Sequence, residues 1–119
     1  MLVASYTIEL DFFSGLQNPS FEITKEDFVT LCHEVMRLDE DSSLSVFDGL
    51  GFRGVILSEG NTFIYIQNRV VAIETPGKNL RFKSNSSIAL KAIALFRKYD
   101  KKGEHASLIE RAITHYDLP

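Results

Sequence analysis

Polar side chains that could bind a ligand are concentrated around the first turn of the chain. Asp11 lies near the end of an alternating apolar and polar pattern that also contains Glu9, and Ser14 and Asn18 follow in the turn. Carboxylate, hydroxyl and amide groups on a loop held by a strand are common components of binding sites. The simpler interpretation is that they hydrogen-bond to the backbone of their own turn. Together with Arg53, which comes later in the chain, Asp11, Ser14 and Asn18 are the binding residues that the sequence predicts.

A glycine-rich run over residues 49–54 matches the dinucleotide-binding pattern G-x-G-x-x-G. Its residues are Gly49, Leu50, Gly51, Phe52, Arg53 and Gly54. That pattern binds a pyrophosphate only where a strand leads into the glycines and a helix follows them. Here an acidic loop comes before the glycines and a β-rich run comes after them, so we predict no nucleotide and no other cofactor. We expect the glycines to provide backbone conformations with φ > 0 and a close backbone approach. If this turn binds a ligand, Arg53 and the backbone N–H groups favour an anion.

Other patterns resemble functional sites but lack essential parts. Residues 39–43 have the alternating oxygen ligands of a calcium loop, but Leu44 and Leu50 stand where an EF-hand needs Gly and Glu, so a solvated acidic linker is expected. Adjacent Cys32 and His33 would point about 100° apart on a helix, which prevents a nucleophile–base pair. The histidines show no metal-ligand spacing. The sequence therefore predicts no catalytic residue and no metal site, and it leaves open whether the histidines meet in space.

Length and composition indicate one globular domain over residues 1–119. The chain has 119 residues, of which 45% are hydrophobic and 24% charged. This is enough apolar material for a core without disulfides, and the single cysteine allows no internal disulfide. The first residues lack the basic segment of a signal peptide, and no apolar run approaches the roughly 18 residues of a membrane span. We therefore expect a cytoplasmic protein without a membrane partner.

Charge is distributed unevenly along the chain. Residues 1–60 contain eleven Asp or Glu and three Lys or Arg, whereas residues 61–119 contain five and ten. Such an asymmetry can create acidic and basic faces that attract a charged partner or a second copy, or the two halves can neutralise each other in the fold. The basic residues are spread over several predicted elements, and no nucleic-acid-binding signature accompanies them. The sequence thus argues against a nucleic-acid partner.

Strands are predicted from alternation and from β-branched and aromatic residues. Residues 2–12 alternate apolar and polar side chains, which is typical of a strand with one buried face. A turn with Gly15 and Asn18 follows, and then a short extended piece at 21–23. The remaining β-rich runs predict an antiparallel meander and a short edge strand: residues 52–57, 62–67, 69–74 and 80–82.

Three helices are predicted from caps and helical spacing. Thr24 is a good N-cap, and apolar residues on one face continue to about Asp39. One of the polar residues 84–86 caps a second helix that ends near Asp100, and a third covers about residues 104–116. The order β-α-β-β-β-(β)-α-α predicts an α+β fold. Its sheet is mainly antiparallel with three to five strands, and the helices pack on one face.

Two hypotheses about function follow. The preferred one is a small intracellular, non-catalytic binding or protein-interaction domain, which includes a homodimer formed through an exposed strand edge or the terminal helices. It is preferred because the sequence shows no nucleophile–base pair, metal-ligand spacing or complete phosphate loop. The alternative is a small enzyme, or a protein that binds an anion or other small ligand near the 11–20 loop and the 49–54 turn. A pocket containing Asp11, Ser14, Asn18 and Arg53 would favour this alternative.

Overall fold

The computed structural model describes residues 5–13, 17–49 and 51–117. In chain order its elements are β1 (Tyr6–Phe13), β2 (Ser20–Ile23), α1 (Lys25–Val35), β3 (Gly51–Glu59), β4 (Thr62–Ile66), β5 (Val70–Thr75), β6 (Lys78–Lys83), α2 (Ser86–Tyr99) and α3 (Ala106–Asp117). The strands form one antiparallel sheet in the order β2-β1-β3-β4-β5-β6. The predicted α+β class is therefore confirmed. Within the described residues, no helix is both long and apolar enough to span a membrane.

The sheet has six strands, so the predicted number of three to five was too low. The strand missing from that number is β2, whose four residues are too few to show an alternating pattern. β1 pairs with β3 along one side, which leaves the backbone groups of its other side to be satisfied. β2 satisfies them, with Ile23 opposite Tyr6 and Ser20 opposite Glu9.

Helix α1 ends at Val35, before the predicted end near Asp39. The chain then leaves the helix axis because it runs beside β6. The Lys83 N–H donates to the Asp39 carbonyl at 2.8 Å, and the Asp41 N–H donates to the Arg81 carbonyl at 2.8 Å. The acidic stretch that was predicted to be a solvated linker thus covers part of the free edge of β6, where unpaired backbone groups would invite another strand.

One face of the sheet carries the hydrophobic core. Alternate strand residues on this face are buried against apolar residues of the helices. This burial of apolar surface is the main contribution to the free energy of folding. We call the opposite side of the sheet the outer face. Examples of the strand core are Ile8, Leu10, Val55, Leu57 and Ile66, and examples of the helix core are Phe28, Leu31, Ile88, Phe96 and Ile109.

A hydrogen-bond network around Asp27 joins α1 to α2. The Tyr99 hydroxyl donates to the Asp27 carboxylate, and Lys98 Nζ lies 2.9 Å from Asp27 Oδ2. The Thr24 N–H, at the start of α1, donates to the Tyr99 hydroxyl at 3.0 Å. The hydrogen bonds from Tyr99 and Lys98 lower the pKa of Asp27 from its ordinary value. The network therefore stabilises the folded chain through the ionised carboxylate.

We expect Asp27→Asn to reduce the free energy of unfolding at neutral pH by about 1 kcal/mol, the net contribution of a typical intramolecular hydrogen bond. Because folding lowers the pKa of Asp27, its contribution is complete above the ordinary value of 3.8 and is lost as the pH falls through the lower folded value. Urea unfolding of both proteins across the acid range measures this difference, which should shrink towards low pH. Glu26→Gln, in the same first turn of α1, is the control. An equal, pH-independent loss in both variants would contradict the network.

Two glycines of the 49–54 turn have the backbone roles that the sequence predicts. Gly51 has φ +86° and Gly54 has φ +136°. A Cβ on Gly54 would lie 2.3 Å from the Ile66 carbonyl oxygen of β4, whereas a Cβ on Gly51 would meet nothing within 4 Å. Gly54 therefore permits a close approach of β3 to β4, and Gly51 permits the turn alone.

We expect Gly54→Ala to reduce the free energy of unfolding by about 1–3 kcal/mol, because strained backbone and a contact with fixed backbone atoms act together. Gly51→Ala should cost about 1 kcal/mol, because only the unfavourable φ is involved. Thermal and urea unfolding of the two variants measure both effects. Equal losses would show that the approach of β3 to β4 does not require glycine at position 54.

Candidate functional site

A β-bulge between β1 and β3 determines where Arg53 lies. Asp11 is opposite Gly54, but Phe12 is opposite Phe52, so Arg53 is an extra residue in β3. Phe12 and Phe52 pack together with ring centroids 4.9 Å apart and both join the core. A bulge bends the strand that carries the extra residue. As a result, the Arg53 side chain reaches Asp11 on the outer face.

Asp11 and Arg53 form an ion pair that is largely shielded from water. Arg53 Nη2 lies 2.8 Å from Asp11 Oδ1, and the two side chains are 22% and 7% exposed, respectively. Arg53 Nη1 also donates to the Asp48 carbonyl at 3.4 Å. A buried carboxylate without a partner would be strongly destabilising. Each residue of the pair therefore fixes the position of the other.

Asn18 connects the turn after β1 back to the strand. Its Nδ2 donates to Glu9 Oε2 at 2.7 Å and to Asp11 Oδ1 at 3.2 Å, and its Oδ1 accepts the Phe12 N–H at 2.9 Å. These bonds go to β1 and not to the residues beside Asn18. Three of the predicted site residues, Asp11, Asn18 and Arg53, are thus brought together. The fourth, Ser14, lies outside the described residues.

Residues 45–48, which we call the strap, border the outer face and are fixed by Gln67. The Phe47 N–H donates to Gln67 Oε1 at 2.8 Å, and Gln67 Nε2 donates to the Phe47 carbonyl at 2.8 Å. Gln67 is 4% exposed, so both ends of a buried amide are satisfied by the strap backbone. The Phe47 side chain itself is 54% exposed. Gln67 therefore holds the strap against the end of β4.

The strap and the outer face line a cleft of about 380 Å³, which we call the outer cleft. Glu9, Ile56 and Tyr65 form one row across three strands, because Glu9 is opposite Ile56 and Ile56 is opposite Tyr65. Glu74 of β5 and Asp48 of the strap also line the cleft, together with Asp11, Asn18 and Arg53. The outer cleft therefore contains all the predicted site residues that the structure describes.

Negative charge dominates the outer cleft. Four carboxylates and one guanidinium line it: Glu9, Asp11, Asp48, Glu74 and Arg53. Arg53 is paired with Asp11. The pKa of Tyr65 is raised, first by burial and then by the charges of Glu74, Asp11 and Glu9. At neutral pH the Tyr65 phenol is therefore a hydrogen-bond donor surrounded by carboxylates.

A second cleft of about 340 Å³ shares Phe47 and Gln67 with the outer cleft. Phe47, Phe52 and Val70 give it apolar walls, and His115 of α3 borders it. His115 packs edge-on against the Phe52 ring, with centroids 5.6 Å apart. This cleft lacks the convergent charged groups of the outer cleft, so it is the weaker candidate.

The sequence did not single out Tyr65, Glu74 or Gln67 as site residues. A signal for Tyr65 existed, because Phe63 and Tyr65 alternate with the buried Ile64 and Ile66 and so must face outward. Glu74 lies diagonally across from Tyr65, on the strand that pairs with β4. Gln67 gave no signal, because its role depends on a strap that is distant in sequence.

The histidines lie on different parts of the fold. His33 is exposed on α1, His105 packs between Phe21 and Phe96, and His115 packs on Phe52. Among the described residues, no group of three or more His, Cys, Asp or Glu is placed to hold a metal ion. Cys32 is half-buried on α1, and burial raises the pKa of its thiol. These residues are therefore not candidates for the site.

Comparisons with protein-family models, with curated proteins and with solved structures find no match for this chain. Function must therefore be inferred from the outer cleft itself.

We expect Gln67→Leu to release the strap, because it removes both hydrogen bonds to the Phe47 backbone while keeping the size of the side chain. The free energy of unfolding should fall by about 1–2 kcal/mol, and the Phe47 amide proton should exchange faster with solvent. Hydrogen exchange followed by NMR measures this directly. Gln17→Leu, which changes the other, exposed glutamine, is the control. Unchanged exchange at Phe47 in Gln67→Leu would show that other contacts hold the strap.

Proposed function

We propose that this chain is a small, non-catalytic binding domain and that the outer cleft is its ligand site. The observation that carries the proposal is the convergence of Asp11, Asn18 and Arg53 with Glu9 and Tyr65 around one cleft. Its volume of about 380 Å³ is that of a pocket for a small organic ligand. Polar groups that come from separate strands and a loop meet there, beside the Ile56 side chain and the Tyr65 ring.

The polar groups of the outer cleft are held in position before any ligand arrives. Asp11 orients Arg53, and Asn18 bonds both Glu9 and Asp11. Gln67 fixes the strap through two hydrogen bonds to the Phe47 backbone. A site whose groups are already ordered loses less conformational entropy on binding. This preorganisation supports ligand binding on a rigid scaffold.

The burial of the Asp11–Arg53 ion pair also supports a functional role for the outer cleft. A buried ion pair is weak evidence for stability, because desolvation offsets most of the attraction between the charges. Two apolar residues of similar size would stabilise the sheet at least as well. The pair is more simply explained if its charges orient the groups that a ligand meets.

Binding is proposed in preference to catalysis because no Ser, Thr, Cys or His is among the described residues that line the outer cleft. Catalysis would be recognised by chemical turnover of the bound molecule.

We also propose a cytoplasmic location, which is supported by the single, free cysteine of the chain.

Self-association is the second candidate function, and the exposed side chain of Phe63 favours it. Phe63 is 39% exposed and stacks on Tyr65 with ring centroids 6.4 Å apart. A dimer through the β6 edge is disfavoured, because residues 39–41 occupy that edge. A symmetric contact over the outer face would need to bury more than about 1,000 Å² in total. Sedimentation of the purified protein distinguishes a dimer from a monomer that binds a small ligand.

The test of the proposed function is to fill the outer cleft from its floor. Ile56→Trp places an indole in the open space of the cleft and not in the hydrophobic core, so the protein should remain folded. Mass spectrometry of small molecules released from the native, purified protein should detect a bound compound in the original chain. That compound should be reduced at least about tenfold in Ile56→Trp, which corresponds to about 1.4 kcal/mol.

Phe63→Trp is the matched control, because Phe63 lies on the outer face but does not line the outer cleft. It should retain the compound. The proposal is wrong if Ile56→Trp retains the compound in full, or if the original chain releases no compound and also binds no added ligand in the outer cleft.

A further inference from the structure

We propose that the outer cleft recognises a positively charged organic group, an alkylammonium or alkylguanidinium. This inference rests on the proposed function, because it names the class of ligand for the same cleft. It is carried by three properties of the cleft taken together: its volume, its excess of carboxylates over cationic groups, and the Tyr65 ring in its wall.

An anion would meet an unfavourable environment in this cleft. The charge of Arg53 is already directed to Asp11, whose carboxylate is nearly buried. An anionic ligand would have to share Arg53 with that carboxylate while lying close to Glu9 and Glu74. The partly buried Glu9 would repel such an anion, and the more exposed Glu74 would do so less strongly. The arrangement therefore favours a cation, although Arg53 considered by itself suggested an anion.

The carboxylates of the cleft retain the capacity to accept hydrogen bonds from a cation. An ionised carboxylate has about four acceptor positions. From the described residues the Glu9 carboxylate receives one hydrogen bond, donated by Asn18. Arg81, whose side chain lies outside the lining of the cleft, is 3.2 Å from Glu74 and leaves part of that carboxylate free. Glu9 on β1 and Glu74 on β5 thus lie on the two strands that flank those of Ile56 and Tyr65.

Tyr65 and Ile56 suit the organic part of such a ligand. Aromatic rings attract ammonium and guanidinium groups, and the attraction is greater where water is excluded. No hydrogen bond joins the Tyr65 hydroxyl to another residue of the described chain, so it is available to a ligand. Ile56 gives the floor an apolar surface against which an aliphatic stem can pack. The cleft is large enough for a stem of several carbon atoms.

The cation could be a free small amine or guanidine, or it could be the Lys or Arg side chain of a protein partner. The chemistry that the cleft recognises is the same in both cases. Two kinds of probe distinguish these sources: butylammonium and butylguanidinium as free cations, and a short Ala-rich peptide with one central Arg.

The experiment titrates each probe into the full chain at constant ionic strength and follows the backbone amide signals by NMR. We expect the cationic probes to shift the signals of Ile56, Tyr65 and Phe47, and to bind at least about tenfold more tightly than butyrate or butanol. Tighter binding of the Arg peptide than of butylguanidinium indicates a protein partner. The reverse order indicates a free small molecule.

Charge variants test whether the carboxylates are responsible. Glu9→Gln and Glu74→Gln should each weaken binding of the cationic probes by about fivefold, the order of one partly exposed charge pair. Glu22→Gln is the control, because Glu22 lies on the outer face of β2 but outside the cleft. It should leave the affinity unchanged.

The outcomes separate this inference from the proposed function. Tighter binding of butyrate than of the cations, or equal binding in Glu9→Gln, Glu74→Gln and the original chain, would overturn the cationic ligand. The binding function would still stand if Ile56→Trp lost the compound that co-purifies with the protein. If no probe binds and no compound co-purifies, both proposals are wrong.

Discussion

The close contact between Gly54 and the backbone of β4 is the constraint on which the outer cleft depends. In a regular strand, Phe52 and Val55 would lie on opposite faces, yet both belong to the core. One extra residue between them is needed to bring both inward, and the bulge provides it. The bent strand then passes so near β4 that only glycine fits at position 54. Arg53 reaches the outer face as a consequence of core packing on the other side.

The free-energy cost of burying the Asp11 carboxylate explains the polar groups around it. Asp11 is nearly buried, and a buried charge must be paired and hydrogen-bonded. Arg53 and Asn18 together supply those partners to the Asp11 carboxylate. Asn18 in turn holds the end of β1 through the Phe12 N–H, so the ion pair is connected to the backbone. The same hydrogen bonds therefore satisfy the buried charge of Asp11 and set the geometry of the cleft.

The sequence predicted the parts of the fold that depend on local patterns. Alternation indicated β1, and the Thr24 and Asn85 caps begin α1 and α2 as expected. The strand count failed at β2, because its four residues are a strand only through their pairing with β1. Asp11, Asn18 and Arg53 were predicted from residue type, but the bulge that joins them depends on the register between two strands distant in sequence. The role of Gln67 was not predicted, because its partner is the backbone of the strap, which is distant in sequence.

Uneven charge along the sequence is resolved differently on the two sides of the sheet. On the helix side, cations of the second half neutralise acids of the first: Lys98 pairs with Asp27, and Lys91 lies 3.3 Å from Glu34. On the outer face, Glu74 adds a further negative charge to the carboxylates of β1 and the strap. Arg53 and Arg81 offset only part of this negative charge. Mutual neutralisation between the two halves is therefore more complete in the helical layer than in the outer cleft. The carboxylates of the outer cleft keep a net negative charge because α1 and α2 lie on the other side of the sheet, and this charge is the basis of the proposed cationic ligand.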